Sequence, residues 1–317
     1  MNPKITIAKR HIGIDYPPYV IAELSANHNG RLDIALNIIQ EAKRAGADAV
    51  KLQTYTADTM TIDHSGDGFY IADPNSLWSG RSLYELYQEA HTPWEWHHAI
   101  FARARERGIM IRKVAKTGKP LIISTGMASL AELDESMRAA REAGCKNIVL
   151  LKCTSSYPSS PENTNINTIP HMRELFDCEV GLSDHTMGCG AAVAAVALGA
   201  SVIEKHFTLS RAEGGVDSAF SLEPDELQQL VLETERAWQA LGRISYGPTA
   251  AEKPSLAFRR SLYAVADIAA GEKLTTENVR AIRPGYGLPP KFIYTLIGMH
   301  AKTDIPRGTA LTWDLLG

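Results

Sequence analysis

The 317-residue sequence has few cysteines and no segment typical of export or membrane insertion. Its four cysteines contain no CxxC pair, which disfavours a zinc ribbon or a dithiol redox site: Cys145, Cys153, Cys178 and Cys189. The beginning of the chain, "MNPKITIAKRHIG", lacks the apolar core of a signal peptide, and no run reaches the ~18 apolar residues of a membrane span. We therefore expect a cytoplasmic protein with free thiols and no membrane partner.

The sequence also lacks an excess of positive charge and a dinucleotide-binding motif. A net charge of −3 gives no basic surface for nucleic acid, so no nucleic-acid partner is expected. No GxGxxG opens a helix after a strand, which disfavours a dinucleotide-binding Rossmann domain. Any phosphorylated substrate must be bound by local groups, since the overall field does not attract it.

Apolar strand patterns that alternate with helical patterns fill the first three quarters of the chain. The strands are runs of Val, Ile and Leu, as in parallel sheets buried on both faces. Polar residues recur at their carboxyl ends, where a (β/α) barrel gathers its site. We predict a barrel domain over 1–242, a linker over 243–257 and a small domain over 258–317.

Two histidines follow successive predicted strands. His185 lies in "GLSDHT" and His206 near the end of "SVIEKHFTL". Consecutive strands of a barrel are adjacent, so the two imidazoles can bind one divalent ion together with water and substrate oxygens. Mn²⁺ suits nitrogen and oxygen ligands, zinc and iron remain open, and Asp184 and Glu204 are further candidates. The alternative is a pair of hydrogen-bonded core histidines beside buried ion pairs.

Three lysines interrupt otherwise apolar strands, and a buried ammonium needs an anion. Lys51 is the strongest candidate for a substrate anion because Gln53 and Thr54 flank it, whereas Lys152 and Lys205 could pair with carboxylates of the protein. Asn27 lies at a strand-to-helix turn, where a role in a site and ordinary capping are both open.

Seven motifs, read in order, resemble the sialic acid synthase family along nearly the whole chain: "IAELSANHNG", "AVKLQTYT", "LIISTGMAS", "KCTSSYP", "GLSDHT", "VIEKHFTL" and "RPGYG". The resemblance implies a (β/α)8 TIM-type barrel followed by a small antifreeze-like (SAF) domain, in a domain-swapped homodimer. It also implies a condensation of phosphoenolpyruvate with an open-chain N-acetylated hexose.

The resemblance also implies roles for individual residues. His185 and His206 would bind the metal, with Mn²⁺ expected and Mg²⁺ or Co²⁺ as alternatives, and together with Glu23 they form the catalytic group. Glu23 and Asp217 would hold sugar hydroxyls, and Arg283 would meet an N-acetyl group in the partner subunit's site. Asn27 joins the substrate-binding residues, and the contacts to phosphoenolpyruvate would come from Lys51, Gln53, Ser124, Ser155, Tyr157 and Ser183. Ser155 stands where sialic acid synthases proper often have Asn.

Within the family, four stretches look most like the branch that makes pseudaminic acid: "ELSANHNG", "TPWEWH", "SLYELY" and "GGVDSAFSLEP". The hexose would then be a 2,4-diacetamido-2,4,6-trideoxy sugar of the altrose type. Two alternatives stay open, a synthase of N-acetylneuraminate that uses N-acetylmannosamine and a non-catalytic sugar-binding relative.

The sequence contains seven barrel strands, whereas a closed barrel of this type has eight. Only about a dozen residues separate "IMI" from "LIIST", and a βαβ unit takes ~30. Two family motifs expected there, of the "FSSPFD" and "YKIAS" types, are absent. We infer that roughly one βα unit and parts of its neighbours are missing at Ile111–Arg112, the seam, either because the protein has a deletion there or because a stretch is left out of the sequence. If the deletion is real, we expect an open barrel, poor folding and little activity. An intact mass well above 34.6 kDa would show that residues are present at the seam.

Overall fold

The computed structural model describes residues 5–106, 110–112 and 119–317, which divide into two compact units, 1–242 and 243–317. The strands are β1 Ile5–Ile7, β2 Arg10–Ile12, β3 Tyr19–Glu23, β4 Ala49–Lys51, β5 Met110–Arg112, β6 Leu121–Ser124, β7 Ile148–Cys153, β8 Glu179–Asp184, β9 Val202–His206, β10 Ser261–Ala264 and β11 Val279–Ile282. The helices are α1 Leu32–Arg44, α2 Ala57–Met60, α3 Leu83–Ala90, α4 His97–Glu106, α5 Leu130–Glu142, α6 Thr168–Phe176, α7 Gly190–Ala197, α8 Pro224–Leu241 and α9 Ile293–Leu296. None of the helices in these ranges is long and apolar enough to cross a membrane.

A parallel sheet of seven strands forms the centre of the larger unit, in the order β5-β4-β3-β9-β8-β7-β6. All seven are strands predicted from the sequence, and β8 and β9 are neighbours as expected. In the described part of the chain β5 and β6 lie at the two ends of the order, each paired on one side. The seam falls between them, so the predicted barrel lacking about one βα unit is confirmed.

Alternation along the strands separates two layers of core. One layer faces the concave side of the sheet and includes Tyr19 and Ile21 of β3 with Val202 of β9. The other faces the helices and includes Val20 and Ala22. Because side chains of a strand alternate in direction, a residue's parity along its strand decides whether it faces the interior of the barrel or the helices.

The helices cover the outer layer with apolar stripes at helical spacing. In α1 the buried positions are Ala35, Ile38, Ile39 and Ala42. The predicted N-cap of α5 is confirmed, because the hydroxyl of Ser129 accepts from the Glu132 amide while the Glu132 carboxylate accepts from the Ser129 amide.

A hairpin of β1 and β2, which the sequence did not indicate, packs against the inner layer. Ile5, Ile7 and Ile12 join the same apolar cluster as the inward residues of the barrel strands. The hairpin turns at Ala8 and Lys9, both at positive φ, where Asn and Gly are the usual residues. This turn chemistry explains why the hairpin was missed.

The smaller unit, 243–317, has its own core. Antiparallel strands β10 and β11 pair over four residues each, and Leu262, Leu274 and Leu311 are fully buried. The unit includes the stretch 243–257 that was expected as a linker, and the 3-10 helix Lys253–Phe258 begins in this stretch and ends one residue beyond it. The domain boundaries given above remain predictions.

Candidate active site

Inward-facing polar groups end the central strands at their carboxyl side. Glu23, Lys51 and Glu204 lie on β3, β4 and β9, and Lys51 Nζ is 3.0 Å from Glu23 Oε2 and 2.9 Å from Glu204 Oε1. Ser183 Oγ donates to the same Glu204 oxygen over 3.0 Å. Burial acts to lower the pKa of Lys51, but the two carboxylates outweigh burial and raise this pKa above its ordinary value. The ammonium therefore stays charged. The site therefore contains a fixed cation held by two carboxylates.

The imidazoles of His185 and His206 lie side by side beside this cluster. Their ring centroids are 5.2 Å apart with an interplanar angle of 70°. Nδ1 of His185 is 2.9 Å from the Thr154 carbonyl oxygen, whereas the buried Nδ1 of His206 has no hydrogen-bond partner. Nε2 of His206 lies 3.4 Å from Glu23 Oε2. The two rings predicted to be neighbours are thus brought together with one ring nitrogen unpaired.

Burial and nearby groups shift the pKa values of the two histidines in opposite directions. Burial, followed by the charge of His185, lowers the pKa of His206 well below its ordinary value. For His185 burial acts in the same direction, but hydrogen bonds to Cys153 and to Thr154 raise its pKa. A neutral, buried imidazole with a free lone pair is the form that binds a metal ion.

These residues fit a divalent cation only if oxygen ligands complete its shell. The unpaired nitrogen of His206 lies 4.0 Å from Asp217 Oδ2, so a carboxylate flanks each nitrogen of this ring. Across the residues that the structure describes, no group of three or more His, Cys, Asp or Glu is arranged to hold a metal by itself. The histidine pair with substrate and water oxygens is the arrangement that fits.

A chain of hydrogen bonds connects residues that follow β4, β3 and β9. Gln53 Nε2 donates to Ser25 Oγ over 2.9 Å, and Ser25 Oγ donates to the Asp217 carboxylate. Tyr55 OH donates to Gln53 Oε1 over 3.1 Å. Burial raises the pKa of Asp217, the hydrogen bond from Ser25 opposes that shift, and the result is a raised pKa. The sequence singled out Gln53 and Asp217 but missed Ser25 and Tyr55, although Ser25 keeps the inward parity of Glu23.

Tyr157 forms an aromatic wall against the two histidines. Its ring centroid is 4.4 Å from that of His185, 6.1 Å from that of His206 and 5.3 Å from that of Phe220. Burial raises the pKa of the Tyr157 hydroxyl to about 12. The phenol is therefore neutral at physiological pH and can donate a hydrogen bond.

Cys153 lies close to His185 and to Ser124 and Ser155, the two serines predicted to contact the substrate phosphate. Its Sγ is 4.0 Å from Ser155 Oγ. Burial alone would raise its pKa, but hydrogen bonds from His185 and Ser124 lower the pKa of the thiol to about 7. Ser124 and Ser155 are exposed, as residues that contact a phosphate would need to be, and both lie close to this thiol.

Asn27 and His28 have different surroundings. The buried Asn27 donates through Nδ2 to the Phe207 carbonyl over 3.0 Å and to Ser221 Oγ over 2.9 Å, and its Oδ1 has no partner. His28 accepts from the Gly30 amide, and burial, followed by the charge of His91, lowers its pKa to about 4. Asn27 thus offers a free acceptor, whereas His28 stabilises the turn.

The other two candidate cations, Lys205 and Lys152, lie at strand positions that face the helices and are therefore outside the site. Lys205 and Asp184 form a 2.7 Å ion pair, both almost fully buried, on the helix-facing side of β9 and β8. Asp184 is therefore not beside the histidine pair. Lys152 also has outward parity, donates to the Cys153 carbonyl over 2.7 Å and to Thr154 Oγ1 over 3.2 Å, and has a pKa lowered by burial.

Arg283 belongs to the smaller unit, where it follows β11. Together with Ser255, Phe258, Arg259, Arg260 and Pro290 it lines an open depression of about 580 Å³. The role expected for Arg283 in a partner's site remains a prediction.

Comparison with known proteins gives consistent matches. The NeuB family profile matches residues 38–112 and 109–246, and the SAF domain profile matches 259–317. Pseudaminic acid synthase of Campylobacter jejuni is 42% identical over 331 residues, which cover 94% of this chain and 96% of that protein. That of Helicobacter pylori is 37% identical over 94% and 97%. The crystal structure of the sialic acid synthetase of Leptospira borgpetersenii is similar at a TM-score of 0.68 and 28% identity, over 81% of this chain and 96% of that one.

These matches bear on the seam. The NeuB profile matches in two pieces that meet at 109–112. The alignment with the Campylobacter protein extends over 331 residues, more than the 317 of this chain, although it covers only 94% of it. The relative therefore has residues for which this chain has no counterpart.

Proposed function

The chain belongs to the NeuB family, and from this premise we propose that it condenses phosphoenolpyruvate with a 2,4-diacetamido-2,4,6-trideoxy hexose to give pseudaminic acid and phosphate. Synthesis of a sialic-type acid from phosphoenolpyruvate and a sugar follows from the family membership. The choice of hexose is finer, and it is supported by the relatives at 37–42% identity, which are pseudaminic acid synthases.

One observation carries the proposal: Lys51, Glu23, Glu204 and the His185–His206 pair converge on the interior of the sheet at the carboxyl ends of its central strands. This is the end at which barrel enzymes carry out their chemistry. The residues offer a fixed positive charge for an anionic substrate and, at His206, a neutral unpaired nitrogen for a metal ion.

The reaction joins C3 of phosphoenolpyruvate to the aldehyde carbon of the open-chain hexose. Water adds at C2 and supplies one proton to the former aldehyde oxygen, which becomes a hydroxyl. The bond between C2 and the phosphate oxygen then breaks, C2 becomes a keto group, and inorganic phosphate leaves with the second proton. We assign the phosphate and carboxylate of phosphoenolpyruvate to Lys51, Gln53, Ser124, Ser155, Tyr157 and Ser183. The Lys51 side chain keeps 35% of its surface exposed, so it can meet an incoming anion while its two carboxylates hold it in place.

The hexose is assigned to the other side of the site. Glu23 and Asp217 would accept hydrogen bonds from sugar hydroxyls, and the free Oδ1 of Asn27 offers a third acceptor.

His185 and His206 would hold a divalent cation, for which we propose Mn²⁺, with Mg²⁺ or Co²⁺ as alternatives. When bound, such an ion stabilises negative charge that develops on an aldehyde oxygen. The buried, unpaired Nδ1 of His206 supports this assignment.

Assembly and location complete the proposal. The family resemblance supports a domain-swapped homodimer in which Arg283 serves the partner subunit's site. All four cysteines are free, which supports a cytoplasmic location.

A two-sugar comparison tests the proposal. Phosphate release from phosphoenolpyruvate is measured with the diacetamido trideoxy hexose and with N-acetylmannosamine, each with and without a chelator. We expect release with the first sugar alone, and only when metal is present. Release with N-acetylmannosamine would indicate the N-acetylneuraminate reaction, and release without any sugar would contradict the condensation.

A second candidate function follows from the open sheet, whose outer strands β5 and β6 each pair on one side among the described residues. A sugar-binding protein without turnover would keep the residues in the interior of the site, but it would lack catalysis because of the residues missing at the seam. Calorimetry distinguishes the two functions, because this candidate predicts heat of sugar binding without release of phosphate.

A further inference from the structure

The segment between α2 and α3 folds back on itself, and its tip contacts loops that follow strands of the central sheet. Its two arms are joined by hydrogen bonds from the Ile71 amide to the Arg81 carbonyl over 2.9 Å and from the Gly80 amide to the Ile71 carbonyl over 2.8 Å. Gly80 has φ +83°, a conformation that a side chain would strain. At the tip Leu77 is 49% exposed, whereas the adjacent Trp78 is half-buried, so Trp78 is the residue that the tip turns inward.

Trp78 contacts two loops of the site that come from other strands. Its Nε1 donates to the Val216 carbonyl over 2.8 Å, in the loop after β9. Its ring centroid is 5.7 Å from that of Tyr157, in the loop after β7. Because Trp78 itself follows β4, one side chain joins loops that follow three different strands.

The loop that Trp78 holds has little rigidity of its own. Gly214 and Gly215 both have positive φ, +74° and +133°, and glycine loses more conformational freedom on ordering than any other residue. Hydrogen bonds that reach residues 214–216 from other segments include the Trp78 bond at Val216 and a 3.2 Å bond from Asn29 Nδ2 to the Gly214 carbonyl. The next residue is Asp217, whose carboxylate accepts from Ser25 and lies 4.0 Å from His206.

We propose that Trp78 is a positioning residue for the hexose: its indole N–H fixes the backbone that presents Asp217. This inference rests on the proposed function, because it assumes that Asp217 faces the sugar. The phosphoenolpyruvate contacts at Lys51 and Ser183 are held by the sheet itself and do not depend on Trp78. The ring of Trp78 also packs against Tyr157, which is assigned to phosphoenolpyruvate, and a Trp78→Phe change keeps an aromatic ring at this contact while it removes the indole N–H.

The experiment compares Trp78→Phe with Trp238→Phe. Trp238 makes the same kind of bond, from Nε1 to the Ile14 carbonyl over 2.9 Å, at the opposite end of the sheet, where Ile14 precedes β3. It is therefore a matched control for the loss of one indole hydrogen bond. The steady-state KM for the hexose and for phosphoenolpyruvate are measured separately for both variants.

We expect Trp78→Phe to raise the KM for the hexose about two- to tenfold, the range for one hydrogen bond, with the KM for phosphoenolpyruvate unchanged. Trp238→Phe should leave both constants unchanged. Equal increases in both constants, no increase in the hexose KM, or the same effect in the control would each overturn the inference.

If the wild-type chain shows no turnover, the proposed function fails but the inference is still tested by calorimetry with the hexose. A weaker hexose affinity in Trp78→Phe alone would support the positioning role. Equal affinities in the wild type and the variant, or no hexose binding by the wild type, would refute it.

Discussion

Lys51 on β4 and Glu204 on β9 form a 2.9 Å ion pair across the intervening strand β3. Such a contact between strands that are not neighbours is made on the concave side of a curved sheet, where inward side chains converge. Glu23 of the intervening strand completes the group at 3.0 Å. The outward pair of Lys205 and Asp184 lies on neighbouring strands and faces the helices. The two buried lysines should therefore respond differently to substitution.

Lys205→Met should destabilise the fold by about 3–5 kcal/mol, because it leaves the buried Asp184 carboxylate without its cation. Turnover per folded molecule should stay near the wild-type value. Lys51→Met should instead reduce turnover at least about 100-fold, because the charge that meets the substrate anion is lost. Urea denaturation and phosphate release measure the two effects. A Lys51→Met variant that retains turnover within about threefold would contradict the assignment.

Removal of metal by a chelator should stop phosphate release, and added Mn²⁺ should restore it. His206→Ala should lose at least about 100-fold in turnover and should not respond to Mn²⁺ at concentrations that saturate the wild type, because the buried imidazole is one of the two proposed nitrogen ligands. Mn²⁺ binding followed by electron paramagnetic resonance gives a readout independent of turnover. Unchanged Mn²⁺ affinity in this variant would disprove the proposed ligation.

Glu226→Gln should make the larger unit less stable at neutral pH than at acidic pH, relative to the wild type. The hydrogen bond from Arg211 lowers the pKa of Glu226, with Arg211 Nη2 3.0 Å from Oε1. A carboxylate with a lowered folded-state pKa contributes stability above its unfolded pKa of about 4.3 and loses it as the pH falls through the folded value. The difference in Tm between variant and wild type should therefore be present at pH 7 and disappear near pH 3. A difference that is constant over this range would rule out the charge of Glu226 as its cause.

Ser129→Ala should lower the free energy of unfolding by about 1 kcal/mol without changing turnover per folded molecule. The side chain caps α5 on an exposed face, and loss of such a cap typically costs this amount. Chemical denaturation measures the loss. Ser129→Asp serves as the control, since it keeps an N-cap acceptor and should retain most of the stability.

Much of the architecture could be predicted from the sequence, because the barrel strands are continuous apolar runs separated by helical patterns. The same signal predicted the adjacency of His185 and His206, since consecutive barrel strands are neighbours. The capping of α5 followed from the spacing of Ser129 and Glu132. These features depend on local pattern alone.

The features that were missed depend on contacts between distant segments or on unusual backbone. Trp78 lies in a segment without apolar periodicity, and its partners Val216 and Tyr157 are far along the chain. The sequence predicted that Lys51 pairs with an anion but did not identify the anion. Glu204 could be identified only once the pairing of β4 with β3 and of β3 with β9 was known, because this pairing shows that Glu204 faces the same side of the sheet.

The order of strands in the sheet has a consequence for repair of the protein. Glu23, Lys51, His185 and His206 belong to or directly follow the four consecutive strands β4, β3, β9 and β8, each of which has neighbours on both sides, whereas the seam lies between the two outermost strands. Apart from Ser124, which ends the outermost strand β6, these proposed site residues are therefore separated from the open edges of the sheet. A protein engineer could graft a strand and helix from a relative at the seam without altering any proposed metal-binding or lysine position, and could measure what closure alone adds to the catalytic rate.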